Sequence, residues 1–363
     1  MIEIAFGKGF MHMLHRRTKI LLAAGALAMA LPLPAVLAQP APGPAAQAAP
    51  APARGGRGGR GPAETWYIHK ADKVVYTPPN RPIWRLADLL AMHRGQNNWS
   101  QPILKDDYQE VTYNSAAPGT KFIPRMHNET ATVFFIIRGQ VHFNVEGQAP
   151  VTATRGGIVN ILNDTIYSYD VTGSENALFI NLNPRGFRTE YPTSAPPPPP
   201  VAGTTVTKVS FNHRPGTYTG NNKLYFNLFD AIAKCQPTGG VVDEDHLFVN
   251  PLTGFVNTAE YTSKCPPGSP GRVRGGSAST APFNPNSTFG HLHIGVREWW
   301  IVQAGAIQGR FEKTGEFHAV EGDVLNAEED MWHQMGLEAP SGPSVRTAIS
   351  AYHISNMGNT GGD

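Results

Sequence analysis

The 363-residue chain has only two cysteines, carries a formal net charge of just +2, and has no apolar run that could remain in a bilayer. So few cysteines rule out a disulfide-dense scaffold and a zinc site built from paired Cys-x-x-Cys motifs. A near-neutral balance gives no reason to expect a nucleic-acid partner or an anionic membrane surface. The sequence also lacks a phosphate-binding P-loop, a dinucleotide glycine fingerprint and a Gly-x-Ser-x-Gly elbow, which sets aside nucleotide and serine-hydrolase chemistry.

The N-terminus reads as an address. Arg16, Arg17 and Lys19 form a positive region, Ile20 to Leu31 an apolar one, and Val36-Leu37-Ala38 a small-residue cleavage site. This is the pattern of a secretory signal over residues 1–38, interrupted by Pro32 and Pro34 and too short for a lasting span. The paired arginines suit twin-arginine export, and general secretion fits nearly as well. Either route places the protein in the periplasm or outside the cell. Residues 39–64 are Ala/Pro-rich and then Arg/Gly-rich, a composition that cannot bury a core and predicts a disordered leader. Cys235 and Cys265 would then meet an oxidising compartment. A bond between them would contribute about 3 kcal/mol, and two unrelated thiols fit the sequence equally well.

About 300 residues remain, enough for two domains with a core each. Pro82-Ile83-Trp84 predicts the opening of a short helix through Met92, with Gly95 as its stop. Short β-type runs follow at Glu110–Tyr113, Ala131–Ile137, Gln140–Val145, Gly157–Ile161, Ile166–Val171 and Ala177–Leu182. Turn residues every eight to twelve positions make this the pattern of an all-β barrel or sandwich. A proline run, Pro196–Pro200, separates it from a second half in which strand pattern restarts at Thr204–Phe211. Residues 236–290 are rich in Gly, Pro, Ser and Asn and are expected to cover a barrel mouth or to pack between the halves. They include His246 beside Asp243, Glu244 and Asp245, an acidic loop cluster.

The chemistry concentrates in Gly290-His291-Leu292-His293-Ile294-Gly295-Val296-Arg297-Glu298 and, further on, His333. On a strand, His291 and His293 leave the same face, Gly295 permits a turn, and Glu298 opens the next apolar run. Three imidazoles and one carboxylate make a metal site. Imidazole suits Fe, Mn, Ni, Cu and Zn, and the carboxylate moves the preference toward Fe(II) or Mn(II). Four such donors on an octahedral ion leave two positions for substrate, water or dioxygen. Alternation sends Trp300 and Val302 inward with Glu298, so Trp300 is a candidate wall of the site. Arg310, or Arg297, is a candidate for holding a substrate carboxylate, with a surface salt bridge as the simpler role of each. Met335 should face inward, and His318 and His353 are expected to be structural.

The chain also repeats itself. A shift of 166 residues places Gly139 on Gly305, Glu146 on Glu312, Gly156 on Gly322, Asn160 on Asn326 and Asp164 on Asp330. The same register places Arg125 on His291, His127 on His293, Thr132 on Glu298 and Tyr167 on His333. One ligand of four survives in the first copy, and a guanidinium with a threonine should not hold a divalent cation. The expectation is a duplicated barrel: residues 65–200 metal-free with a filled interior, residues 201–363 metal-binding.

In order and spacing, His291, His293, Glu298 and Gly305 resemble the first metal motif of the cupin superfamily, and Gly322 and His333 resemble its second. Glu328 stands where that family usually has proline, and Asp330 where it has glycine. The resemblance implies two tandem double-stranded β-helix (jelly-roll) barrels with one divalent ion in the C-terminal one, a small-molecule substrate, and no bar to homo-oligomeric assembly. It implies an oxygenase or related oxidoreductase first. Decarboxylase, lyase or isomerase action on a small carboxylate comes second, and a non-catalytic metal- or ligand-binding protein third.

Overall fold

Short runs that alternate or are apolar throughout, bounded by glycines, give strands, and strands make up nearly all of the ordered framework. The computed structural model describes residues 76–363 apart from 129, 220–222, 234–247, 250–255, 262–282, 288–289, 296, 339–344, 351–355 and 360–363. The expected signal and leader, Cys235, Cys265, His246 and His353 lie outside the described residues. No helix among the described residues is long and apolar enough to cross a membrane.

The first half runs β1 (Ile83–Trp84), α1 (Leu86–Met92), β2 (Trp99–Lys105), β3 (Gln109–Ala116), β4 (Lys121–Arg125), β5 (Thr132–Arg138), β6 (Gln140–Val145), β7 (Val151–Thr154), β8 (Gly157–Ile161), β9 (Tyr167–Thr172) and β10 (Ala177–Pro184). The second runs β11 (Tyr225–Asn227), α2 (Leu228–Ala233), β12 (Phe248–Val249), β13 (Val256–Tyr261), β14 (Gly290–His293), β15 (Glu298–Ala304), β16 (Ala306–Phe311), β17 (Gly315–Val320), β18 (Val324–Ala327), β19 (His333–Glu338), β20 (Val345–Ser350) and β21 (Asn356–Asn359).

Each half closes as two facing antiparallel sheets. The first pairs β11-β8-β5-β10-β3-β2 with β4-β9-β6-β7, and the second pairs β1-β18-β15-β20-β13-β12 with β17-β16-β19-β14-β21. These are the two jelly-roll barrels expected from the repeat. Phe134, Phe143, Tyr167, Tyr169 and Phe179 fill the first interior, and Trp300, Val302, Ile307, Phe311 and Ala348 line the second. A third apolar layer joins the barrels, with Tyr113, Phe135, Ile180, Trp299, Ile301 and Ile349 packed together. Both faces of β15 are therefore covered, which is why all seven of its residues are buried.

The repeat is visible atom by atom. Gly139, Gly305, Gly156 and Gly322 all have positive φ, as do Asp164 (54°) and Asp330 (59°). That conformation explains aspartate where glycine is usual, because Asp tolerates the left-handed region better than most residues. Glu146 accepts from the Ile166 amide at 3.1 Å, and Glu312, its equivalent, accepts from the Trp332 amide at 3.2 Å.

Three details differ from expectation. The helix begins at Leu86, because Ile83–Trp84 instead pairs with β18 of the second barrel. Reciprocally, β11 pairs with β8 of the first barrel, so the division expected at residue 200 is crossed by one short strand in each direction. Residues 204–211 form no strand and lie exposed, with Val206 at 54% and Val209 at 66%. A β-prone run becomes a strand only where a sheet edge accepts its backbone groups.

Candidate metal centre

The antiparallel sheets bring the four expected donors to one point. His291 and His293 lie on β14, whose His291 is directly opposite His333 at the start of β19. The turn after β14 returns the chain so that Glu298 opens β15 on the facing sheet. Nε2 of His333 lies 3.1 Å from Nε2 of His291, and Oε2 of Glu298 lies 2.5 Å from Nε2 of His293 and 3.3 Å from Nε2 of His333. The four donor atoms all fall within 4.8 Å of one another. Cis donors about 2.1 Å from an octahedral ion stand about 3 Å apart, so this spacing fits a single divalent cation.

The protonation states suit that role. Nδ1 of His333 donates to the Met331 carbonyl at 2.9 Å, which fixes the tautomer and turns the Nε2 lone pair toward the centre. Burial pushes His291 down to about 3, helped by the neighbouring His333, and burial likewise lowers His333. Burial alone would raise Glu298. The nearby His293, by its proximity and its hydrogen bond to the carboxylate, outweighs it, with a smaller share from the neighbouring His333, and holds the carboxyl well below the usual range. Neutral His291 and His333 beside a carboxylate are donors of the kind that a hard or borderline divalent ion requires.

The surroundings place the other predicted residues. Trp300 is buried, with its ring roughly perpendicular to that of His333 at 5.2 Å and stacked toward Phe311 at 6.1 Å. Met335 packs against the interior cluster. Arg310 leaves the face of β16 opposite to Phe311. There it donates to the Ser287 carbonyl at 2.6 Å and stacks on Trp332 at 5.0 Å, apart from the ligand-bearing face. Arg297 is neither a surface ion pair nor a group in the chamber. It is buried, pairs with Glu328, and approaches Asp106 of the first barrel at 3.2 Å. Glu328, the departure from the family's proline, thus has a buried cation as its partner. Burial raises its carboxyl against the pull of Arg297.

Sequence reasoning missed Arg346. On β20 it lies opposite Val302, as Ala348 lies opposite Trp300, and cross-strand partners share a face. Its side chain therefore enters the second barrel, where it is 4% exposed and its charge helps to keep His291 neutral. The available signal was alternation, since Val345, Thr347 and Ile349 take one face and leave Arg346 to the other.

In the first barrel the equivalent positions are occupied differently. His127 donates from Nδ1 to the Arg188 carbonyl at 2.9 Å and accepts from the Tyr167 hydroxyl at 3.0 Å, while Thr132 donates to the Leu182 carbonyl at 3.2 Å. Arg125 lies about 5.9 Å from the ring centres of Phe122 and Tyr169. Aromatic rings pack against His127, with Tyr167 at 5.9 Å and Phe187 at 5.3 Å between ring centres.

No protein-family model matches the sequence, and no curated protein matches it. Solved structures do resemble the fold. The salicylate 1,2-dioxygenase of Pseudaminobacter salicylatoxidans superposes with a TM-score of 0.50 at 12% identity, over 74% of this chain and 83% of that one. A single-residue mutant of the same dioxygenase, in complex with gentisate, gives 0.50 at 14%, over 78% and 84%. A cupin 2 conserved barrel domain protein from Leptotrichia buccalis gives 0.46 at 12%, over 74% and 95%. At such identities the likeness concerns architecture. The chain has the cupin fold, twice over, with a His3Glu group in the second barrel.

Proposed function

We propose that this protein is an exported, metal-dependent enzyme that acts as an oxygenase or related oxidoreductase on a small organic acid in the second barrel. The observation that carries this reading is the convergence of His291, His293, Glu298 and His333 on one point beside Trp300, inside a barrel that also holds Arg346. When bound, an Fe(II) or Mn(II) ion would act as Lewis acid and electron conduit for a substrate held in its open positions. The chain supplies the rest. The Met331 carbonyl orients His333, Trp300 and Phe311 exclude water from one side, and Arg346 brings a positive charge that suits a substrate carboxylate. Export rests on the basic, apolar and small-residue succession of residues 1–38.

The test is oxygen consumption by protein loaded with Fe(II) or Mn(II), across aromatic hydroxy acids, diketones, thiols and small dicarboxylates. Substrate-dependent uptake is the expected result. A fully loaded protein that consumes no oxygen with any of them would overturn the oxygenase reading. The buried Arg346 suits decarboxylation of a small acid as well, and turnover that is undiminished under nitrogen would select that second reading.

A further inference from the structure

Among the described residues the first barrel gathers no metal-donor set, yet one of its turns grips both chain neighbours of a donor in the second. Glu298, the single carboxylate among the four donors, is preceded by Arg297 and followed by Trp299. Alternation along β15 sends Glu298 into the second barrel and its two neighbours the opposite way, toward the first. Nε of Arg297 lies 3.2 Å from Oδ2 of Asp106, and Nε1 of Trp299 donates to Oε1 of Gln109 at 3.1 Å. Asp106 opens the turn between β2 and β3, and Gln109 closes it as the first residue of β3.

That turn is braced internally. Oδ1 of Asp106 accepts from the amides of Tyr108 (2.8 Å) and Gln109 (2.9 Å), the Asp106 amide donates to the Gln109 carbonyl at 3.1 Å, and Nε2 of Gln109 donates to Oδ2 of Asp106 at 3.1 Å. Arg297, Asp106, Gln109 and Trp299 therefore form a closed chain of polar contacts that spans the residue between its ends. All four are buried or nearly so, with Arg297 at 5%, Gln109 at 0% and Trp299 at 0% exposed. In such surroundings polar contacts fix geometry strongly, because no water replaces a lost partner. The clamp is not repeated. Thr132, the counterpart of Glu298, is flanked by Ala131 and Val133, which offer no polar grip.

We propose that Asp106 and Gln109 are positioning residues for the metal centre, and that the metal-free barrel serves to hold Glu298 in register from behind. The proposal rests on the assignment of the His3Glu group as the metal site under the proposed function. It gives the first barrel a part in the metal centre although Arg125, Thr132 and Tyr167 stand at three of its four ligand-equivalent positions.

Co(II) is the probe, with its affinity measured by chelator competition and its ligand field by visible absorption, neither of which depends on turnover. In Asp106→Asn and, separately, Gln109→Leu, Co(II) should bind about tenfold more weakly or worse, with shifted absorption bands. Arg155→Gln serves as the control. It breaks another inter-barrel ion pair, the two-pronged contact of Arg155 with Glu321 at 2.6 Å, which touches neither neighbour of Glu298. That variant should lower the melting temperature at most, with affinity and spectrum unchanged. If Asp106→Asn fails to fold, Gln109→Leu decides alone. Unaltered affinity and bands in the folded variants overturn the proposal, as would an equal change in Arg155→Gln. Failure of the unaltered protein to take up Co(II) would instead sink the metal-site assignment, so the two failures are distinct.

Discussion

The hydroxyl of Tyr167 donates to Nε2 of His127 at 3.0 Å, and these two residues hold the positions that His333 and His293 hold in the second barrel. Where the second barrel turns two imidazoles toward one point, the first pairs a phenol with an imidazole in a single hydrogen bond. The phenol uses the imidazole lone pair, and burial keeps His127 in its neutral form. Tyr167→Phe should leave that buried nitrogen without a partner and destabilise the protein by about 1–3 kcal/mol in denaturant unfolding. Bound-metal content should not change.

Gly290 allows β14 to approach β19. A Cβ there would lie 2.4 Å from Cζ2 of Trp332 and 2.6 Å from the His333 carbonyl oxygen, and the latter is backbone that cannot swing aside. Gly290→Ala should force the two strands apart at the level of His291 and His333. The expected cost is about 1–3 kcal/mol in stability together with weaker metal binding, measured by thermal unfolding and chelator competition on the same sample.

His213 gives the connecting segment a pH dependence. Its Nδ1 lies 2.9 Å from Oδ1 of Asp164 and its Nε2 2.8 Å from Oε2 of Glu146, and hydrogen bonding to Glu146, then to Asp164, raises its affinity for a proton. The folded state therefore binds the proton more tightly than the unfolded one does. The stabilisation is complete below the unfolded value of about 6.5 and is lost as pH rises through the raised folded value. His213→Gln should lower the melting temperature most at a pH below about 6.5, and the difference should shrink steadily as pH is raised. A difference that grows with pH would contradict this.

The sequence disclosed the donors because three histidines and a glutamate at β-strand spacing have few structural uses, and it disclosed the barrels because glycines and an aspartate recur at one fixed interval. It did not disclose β1 and β11. Strands of two and three residues carry no periodicity, and their pairing with the opposite barrel depends on edges far away along the chain. Thr204–Phe211 misled for the converse reason, since alternation without an accepting edge gives no strand. Arg297 looked like a surface cation because nothing local predicts that Asp106 and Glu328 converge on it. Arg346 was hidden by a strand of which both faces are buried.

The central claim is that one divalent ion is held by His291, His293, Glu298 and His333. Metal content measured by mass spectrometry on protein loaded with Mn(II) and then desalted tests it most directly. The account predicts one ion per chain in the unaltered protein and essentially none in the double variant Glu298→Gln, His333→Ala, with Tyr167→Phe as a control retaining one. An unchanged ion-to-chain ratio in the folded double variant would contradict it.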